Sequence, residues 1–499
     1  MINTIDWFAQ WAERTPEKVA IQEQRNGSEY SYSQINAAAV LLAAQWTVEF
    51  NLTKGDRIGI LAENSVIQVV LLALAQKTGV VLVPLNFRLS RAELNYMITD
   101  SECKMLIADQ DKLQNCAMEC TLIKMSTESI YNYLTQDACS VVYEALHEDD
   151  PVLLLYTSGT TGFPKGVLYT HKMMFWNSIN TEISLNITGN TRTLNAMPLF
   201  HTGGWNVLLT PVLHHGGTII LFRKFDAVAI LSCIEEERLD LFMAVPTMVR
   251  MLVDLPSFSA SDLSSLKYMI VGGEAMPLDL IRIFHEKGIP VRQGYGLTEA
   301  GPNLTSLHQN FAETKRGSIG KPNFYVSIRI TDDHGDECPP DIPGELWIQG
   351  PMVMPGYWNK PEETANCLQG NWIRTGDVAL MDQEGFIFIV DRKKNMFISG
   401  GENVYPVQVE KVISEISEIE EVVVMGMPDE RWGEVGVAFY TGVSSLTIDT
   451  VKEFCMEKLA KFKIPKHLVY LPEIPRSDTG KLDRKKLKSY LEKVIENLN

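Results

Sequence analysis

Short apolar runs alternate with longer segments of helical periodicity as far as about residue 300. Runs over 57–61, 80–84, 105–108, 152–156, 218–221 and 268–271 are too short for helices and read as buried strands. Helices are predicted over 31–50, 65–77, 91–99, 227–237 and 246–255, and Ile5, Phe8, Trp11 and Ala12 recur at helical spacing near the start. This alternation implies α/β layers with largely parallel sheets. The most apolar stretch, 66–85, is interrupted by Gln68, Gln76, Lys77 and Gly79. It is too polar to span a bilayer and predicts a core helix followed by a buried strand.

From about Gly317 the pattern changes to short β segments at 326–331, 344–348 and 385–390, separated by Gly, Pro and Asp. The run Asp391-Arg392-Lys393-Lys394 has no apolar anchor and reads as a hinge. Beyond it, helices at 407–415 and 449–459 and strands at 422–426, 435–441 and 467–471 suggest a small α+β unit. The expected fold is therefore α/β plus α+β. Residues 1–390 form a large N-terminal domain of αβ-layered sheets, with 316–390 its β-rich part; 391–398 form the hinge, and 399–499 a small mobile C-terminal domain.

Charge narrows the partners. With 45 basic against 62 acidic residues the chain carries a net charge of −17, which disfavours a nucleic-acid surface and adsorption to anionic lipid. The basic stretch around Arg484, Lys485, Lys486 and Lys488 reads as a solvated helix face. Eight cysteines are scattered without a C-x-x-C pair or zinc-finger spacing, as expected of free thiols in a reducing compartment. The first residues show no basic n-region and no apolar h-region, so a cytoplasmic protein with no integral membrane segment is expected.

Residues 156–166, YTSGTTGFPKG, stand out because they are so poorly suited to packing. Glycines there cost backbone entropy, and hydroxyls with an ammonium offer nothing to a core. They can present N–H groups, hydroxyls and the charge of Lys165 to an anion. The run is not a P-loop. Pro164 stands where that motif needs its second glycine, and Lys165 is followed by Gly166 in place of Ser or Thr.

Further motifs follow in order: PLFHTGG from 198, GGE from 272, QGYGLTE from 293, TGD from 375, DRKKNMFISGGENVYP from 391 and PRSDTGK from 475. Together with the Gly-rich run they resemble the adenylate-forming superfamily of acyl- and aryl-CoA synthetases, adenylation domains and luciferases. The resemblance covers nearly the whole chain and is nearest the fatty-acid and acyl-CoA ligases. It implies ATP, Mg2+ and CoA as cofactor and co-substrates, a small carboxylic acid as substrate, and leaves room for a homodimer.

The same resemblance assigns residues. Thr157, Ser158, Gly159, Thr160, Thr161, Gly162 and Lys165 would hold the ATP phosphates, with Thr157 and Glu299 as oxygen ligands of the metal. Thr298 would donate to the α-phosphate. Gly273, Glu274, Gln293, Gly294 and Gly296 would line the adenine while Tyr295 stacks on it. Asp377 and Arg392 would take the ribose. Lys481 would be the catalytic lysine, stabilising charge that develops at the α-phosphate, and Lys394 the pivot. Gly400, Gly401 and Trp432 would pass the pantetheine arm of CoA, with His201 as its gate.

The acyl pocket is expected from His201, Trp205, Val245, Gly272 and Gly301. These positions offer no cation for a second carboxylate and no acid for an α-amino group. An apolar monocarboxylate follows. A medium- or long-chain fatty acid stands first; a benzoate, cinnamate or o-succinylbenzoate type of acid, or an enzyme loading a carrier protein, is the alternative.

Overall fold

The stretch at 66–85 folds as its pattern requires. Val66–Thr78 is a helix buried from Val66 to Lys77, Gly79 closes it in the left-handed conformation at φ 73°, and Val81–Pro84 is a buried strand. The polar interruptions all have partners, as burial demands. Gln68 closes a capping box with Ser65. Gln76 Oε1 accepts from the Trp7 backbone N–H at 3.2 Å. Lys77 Nζ lies 2.6 Å from Asp6 Oδ2, and Asp6 Oδ1 caps the helix Trp7–Arg14.

The computed structural model describes residues 5–115, 122–138, 145–157, 164–273, 275–399, 402–429, 431–456, 458–476 and 482–498. The chain divides into two compact units: Met1–Ile328 with Ile348–Ile373, and Arg329–Trp347 with Arg374–Asn499.

The first unit holds a six-stranded sheet in the order Ile123–Ser126, Met105–Ala108, Arg57–Leu61, Val81–Pro84, Pro151–Thr157, Lys165–Thr170. Its neighbours pair in parallel except the last two, which are antiparallel. A second run of strands has the order Ser318–Pro322, Gly301–Leu307, Val291–Leu297, Tyr268–Val271, Leu241–Ala244, Arg192–Asn195, Thr218–Leu221, Val19–Glu23, Glu29–Ser31. From Val291–Leu297 to Val19–Glu23 it is parallel, so these strands end along one edge.

Every strand and helix expected in the first 300 residues is present within two residues of its expected bounds. The helix His171–Leu185 was not among the expected elements. It buries Asn177, Ser178, Asn180 and Thr181 and so shows no clean apolar stripe.

In the second unit a five-stranded sheet has the order Glu402–Val404, Phe397–Ser399, Gly433–Gly442, Ile419–Asp429, with His467–Tyr470 beside Gly433–Gly442. Both faces are covered. Ala438 and Tyr440 point into a core with Phe397, Val409 and Val451, while Val437 and Phe439 point into one with Leu471, Ile474 and Leu487. Among the described residues no helix is long and apolar enough to cross a membrane.

In the first unit His171 is buried and His214 half-buried, and both are held in the neutral state. Burial lowers His171 to about 4 and His214 to about 3, from 6.5. His214 stacks on Trp7 at 4.1 Å and its Nδ1 lies 2.8 Å from Ser178 Oγ. Because the folded pKa values are depressed, the unfolded chain binds more protons below 6.5. Their contribution is complete above that pH and is lost as pH falls through 4 and 3. Each is worth on the order of 3 kcal/mol when fully lost. The melting temperature of the first unit should therefore fall between pH 6.5 and 4, and His214→Phe should flatten that decline.

Candidate active site

The strand Pro151–Thr157 is buried along most of its length and ends in the Gly-rich run. The return strand Lys165–Thr170 pairs with it so that Thr157 faces Lys165 and Tyr156 faces Gly166. A side chain at Gly166 would meet Leu154 Cδ1 at 2.9 Å and the Tyr156 ring at 3.3 Å, which explains the glycine. Ser158, Gly159, Thr160, Thr161 and Gly162 lie outside the described residues, as does Glu274. What the structure describes is the pair of stems between which the run is held.

Glu299 lies in the short 3-10 turn Thr298–Ala300 between two antiparallel strands. Its Oε1 accepts from the Tyr357 hydroxyl at 2.9 Å and lies 3.5 Å from Thr157 Oγ1, and its carbonyl accepts from Met354 N–H at 2.9 Å. Burial, and then Glu299 itself, push the Tyr357 phenol far above its ordinary value, so it is a neutral donor at any working pH. Lys165 Nζ sits 5.3 Å from the centre of the Tyr357 ring. The two expected metal ligands are thus brought together. Tyr357, which holds one of them, was missed, because an aromatic between Gly356 and Trp358 carries no local signal of a carboxylate partner.

These donors fit a magnesium ion. A hydroxyl and a carboxylate are hard oxygen ligands, and Mg2+ in nucleotide sites is held by one or two carboxylates together with phosphates. Among the described residues no group of three or more His, Cys, Asp and Glu could hold a metal without that help. Cys367 supplies no thiolate here, since burial and then Glu299 push its thiol up to about 11.

The positions expected to meet the base and the acyl group follow the ends of the parallel strands, where open α/β sheets bind ligands. Gly272 and Gly273 follow Tyr268–Val271, and Val245 follows Leu241–Ala244. A Cβ at Gly273 would lie 3.7 Å from Val245 Cγ1, and one at Gly272 would lie 3.7 Å from the Gly294 carbonyl, so these are neighbours. Gly296 has no room for a side chain, with Pro302 backbone 2.2 Å from a Cβ there. Gly301 lies against Asn177 of the helix His171–Leu185. Gln293 is buried, and its Oε1 is committed to the Met276 backbone N–H at 2.8 Å, leaving Nε2 as its available donor. Tyr295 and Thr298 are half-buried. His201 precedes the helix Thr202–Asn206, its ring edge-on to Phe200 at 4.6 Å, and Trp205 on that helix is wholly buried.

In the second unit Asp377 and Arg392 face each other across two antiparallel strands, with Nε 2.5 Å from Oδ1. Asp377 is buried, so the carboxylate is held by its partner and by strand geometry. The stretches expected to meet CoA also come together: Gly433 pairs with Ser399, and Glu434 accepts from Ile398 N–H at 2.9 Å. Trp432 beside them is exposed, under Lys466 at 5.4 Å and Arg431 at 5.3 Å. Gly400 and Gly401 lie outside the described residues, as does the side chain of Lys394.

Lys481 lies outside them too, but the residues on either side are firmly held. Arg476 bridges to Leu482, Asp483 N–H donates to the Pro475 carbonyl at 2.9 Å, and Arg484 reaches Glu410 and the Val424 carbonyl.

Comparison with known proteins settles the family. The model for AMP-binding enzyme matches residues 8–358, and that for the AMP-binding enzyme C-terminal domain matches 408–481. The chain belongs to the AMP-binding enzyme family. It is 35% identical over 478 residues to feruloyl-CoA synthase from Amycolatopsis sp, covering 95% of this chain and 96% of that protein. It is 34% identical over 491 residues to indoleacetate–CoA ligase from Aromatoleum aromaticum, covering 96% of each. Among solved structures, o-succinylbenzoate coenzyme A synthetase from Bacillus subtilis, in complex with ATP and magnesium ion, matches with a TM-score of 0.85 at 31% identity, over 97% of this chain and 99% of that one.

This AMP-binding enzyme is an AMP-forming acid–thiol ligase, the class its motifs implied, with the large domain of sheets and small C-terminal domain of its relatives. One expectation is revised. The fatty acid stood first in the sequence reading, whereas these three relatives are named for aryl acids, so the aryl alternative fits better.

Tyr357→Phe removes one hydrogen bond to Glu299 and should raise the magnesium concentration for half-maximal activity by about three- to tenfold, with the fold intact. Titration of activity with Mg2+ at saturating ATP checks this.

Proposed function

We propose that this chain activates an aromatic carboxylic acid with ATP and passes the acyl group to CoA. The convergence of Thr157, Glu299 and Tyr357 at the mouth of the Gly-rich run carries the reading. In the first half-reaction a carboxylate oxygen of the acid attacks the α-phosphorus, the bond to the β-phosphate oxygen breaks, and pyrophosphate leaves. In the second, the CoA sulfur attacks the acyl carbonyl and AMP leaves. Such transfers depend on positioning and on neutralising charge.

The residues divide that work. Thr157, Lys165 and the hydroxyls and N–H groups of 158–162 hold the β- and γ-phosphates, and Thr298 donates to the α-phosphate. A bound magnesium ion supplies charge neutralisation at the phosphate oxygens, with Thr157 and Glu299 as its protein ligands. Gly273, Gln293, Gly294 and Gly296 bring backbone close to the adenine under Tyr295, and Asp377, oriented by Arg392, accepts from the ribose hydroxyls. Lys481 acts at the α-phosphate; the described residues on either side of its segment, Arg476 and Leu482, are bridged to each other. Ser399 to Glu402 and Trp432 serve CoA after rotation about Lys394.

The acid is aromatic in this reading for two reasons. The relatives named above act on feruloyl, indoleacetyl and succinylbenzoyl groups. Gly272 and Gly273, beside Val245, put no side chain of their own there, which in this reading leaves room for a ring. Pyrophosphate release should be measured over cinnamates, arylacetates and fatty acids, with CoA or a holo carrier protein as acceptor. Aryl acids with CoA should give the highest kcat/KM. Fatty acids in first place, or a carrier protein outpacing CoA, would overturn the reading. In the same assay Lys481→Ala should cut the adenylation rate by about a hundredfold or more and Lys165→Ala by less, since only Lys481 acts where charge develops.

A further inference from the structure

One carboxylate outside the residues assigned so far ties the pieces of the phosphate end together. Asp100 is the last residue of the helix Arg91–Asp100, and its side chain is 11% exposed. Its Oδ2 accepts from the Tyr156 hydroxyl at 2.7 Å. Its Oδ1 lies 3.3 Å from the hydroxyl of Tyr96, one turn back on the same helix face, and that hydroxyl also lies 3.4 Å from the Pro164 carbonyl. Tyr156 immediately precedes Thr157, and Pro164 immediately precedes Lys165. Both stems of the Gly-rich run are therefore fastened to a single helix end.

The same residue reaches the metal-ligand side. Lys360 Nζ lies 3.4 Å from Asp100 Oδ1, and Trp358 Nε1 donates to the Asp100 carbonyl at 3.0 Å. Tyr357, next to Trp358, holds Glu299. Trp358 N–H donates to the Gly166 carbonyl at 2.7 Å, so this segment also lies along the return strand. Arg57 covers the Trp358 ring at 5.1 Å. Three separate stretches, at 156–157, 164–166 and 357–360, meet on Asp100 and its helix.

We propose that Asp100 is a positioning residue for the phosphate end of ATP, holding Thr157, Lys165 and the Tyr357–Glu299 pair in register. This rests on the nucleotide reading above. A Gly-rich run cannot hold its own shape by packing, so its geometry is set by whatever fixes its stems. A carboxylate that accepts from two phenols and pairs with an ammonium is a strong, directional anchor. Asp100 touches no substrate. Its loss should be felt by the β- and γ-phosphates and hardly at all by the base, the ribose or the acid.

AMP separates that role from a merely structural one, because it lacks the β- and γ-phosphates. Binding of ATP with Mg2+, and of AMP, should be measured without acid on wild type, Asp100→Ala, Asp100→Asn, Tyr156→Phe and the double variant Asp100→Ala/Tyr156→Phe. Asp100→Ala should weaken ATP by about tenfold and AMP by less than about twofold. Asp100→Asn, which keeps an acceptor, should recover most of the ATP affinity, and the double variant should bind ATP no more weakly than Asp100→Ala, since the two changes remove one interaction. If Asp100→Ala does not fold, Tyr156→Phe carries the same ratio test. An ATP-to-AMP affinity ratio unchanged from wild type in these variants overturns the inference alone. A wild-type protein that binds neither nucleotide overturns the nucleotide reading and this inference with it.

Discussion

The pairing of Pro151–Thr157 with Lys165–Thr170 is the constraint on which the rest of the candidate site depends. A turn rich in glycine and hydroxyl residues loses backbone entropy on ordering and gains almost nothing from packing. Its position must come from its stems. One stem is largely buried, paired in parallel with Val81–Pro84 on one side, and the other folds back antiparallel on its other side. Once the stems are set, Thr157 and Lys165 face each other at the mouth, and Glu299 is brought to the same place by a separate hairpin and the Tyr357 hydroxyl. A phosphate site of this kind needs no metal cage of its own, because the nucleotide brings most of the oxygen ligands.

Much of this was legible along the chain because the chemistry is local there. The alternation of short apolar runs and helical periods placed six strands and five helices of the first 300 residues within two residues of their bounds, while others, such as the strands Lys165–Thr170 and Leu241–Ala244 and the helix Leu278–Glu286, were not expected. The Gly-rich run, Glu299, Asp377 and Arg392 stood out because each belongs to a short motif of residue types that a core would reject. Asp377 and Arg392 are 15 positions apart, yet antiparallel register sets them side by side. What escaped was whatever depends on contacts between distant segments. Tyr357 lies 58 positions from Glu299, and Asp100 lies 56 from Tyr156. An aromatic and an acid of ordinary type, each in an unremarkable stretch, gain their roles only when the sheet brings them together. The helix His171–Leu185 escaped for a related reason. Its buried face is built from Asn, Ser and Thr whose hydrogen bonds run to other elements, such as Asn177 to the Asn206 carbonyl at 2.7 Å, so hydropathy alone does not reveal it.

The second unit applies the same physics to smaller parts. Its sheet carries two cores on opposite faces, so alternate residues of Gly433–Gly442 are buried on either side, and a slip by one position would drive each set into a core packed for the other. In that sheet Ser399 pairs with Glu402 and with Gly433, and in the same unit Arg476 is bridged to Leu482. Half-buried Glu410 accepts from Val424 N–H at 2.7 Å and from Arg484, which fastens the final helix to the same sheet. Burial first, offset by Arg484, leaves its carboxyl raised to about 7.

The nature of the acid is the property that the chain states least directly, and the reason is physical. Phosphates and ribose are recognised by charges and hydrogen bonds, which demand particular residue types. An apolar acyl group is recognised by shape and the absence of charge, which many residues supply equally well. Val245, Gly272 and Gly273, the residues proposed to meet the acyl group, offer no charged partner, and such a lining would accept an alkyl chain or a ring. Discrimination then rests on small differences in volume, each worth only about 1–3 kcal/mol per methylene, whereas a missing charge partner is worth far more. Glycine at 272 and 273 puts no side chain there, and at 273 the backbone, at φ +87°, itself calls for glycine. The chemistry of activation is therefore written in residue identities, and the choice of acid in the shape left between them.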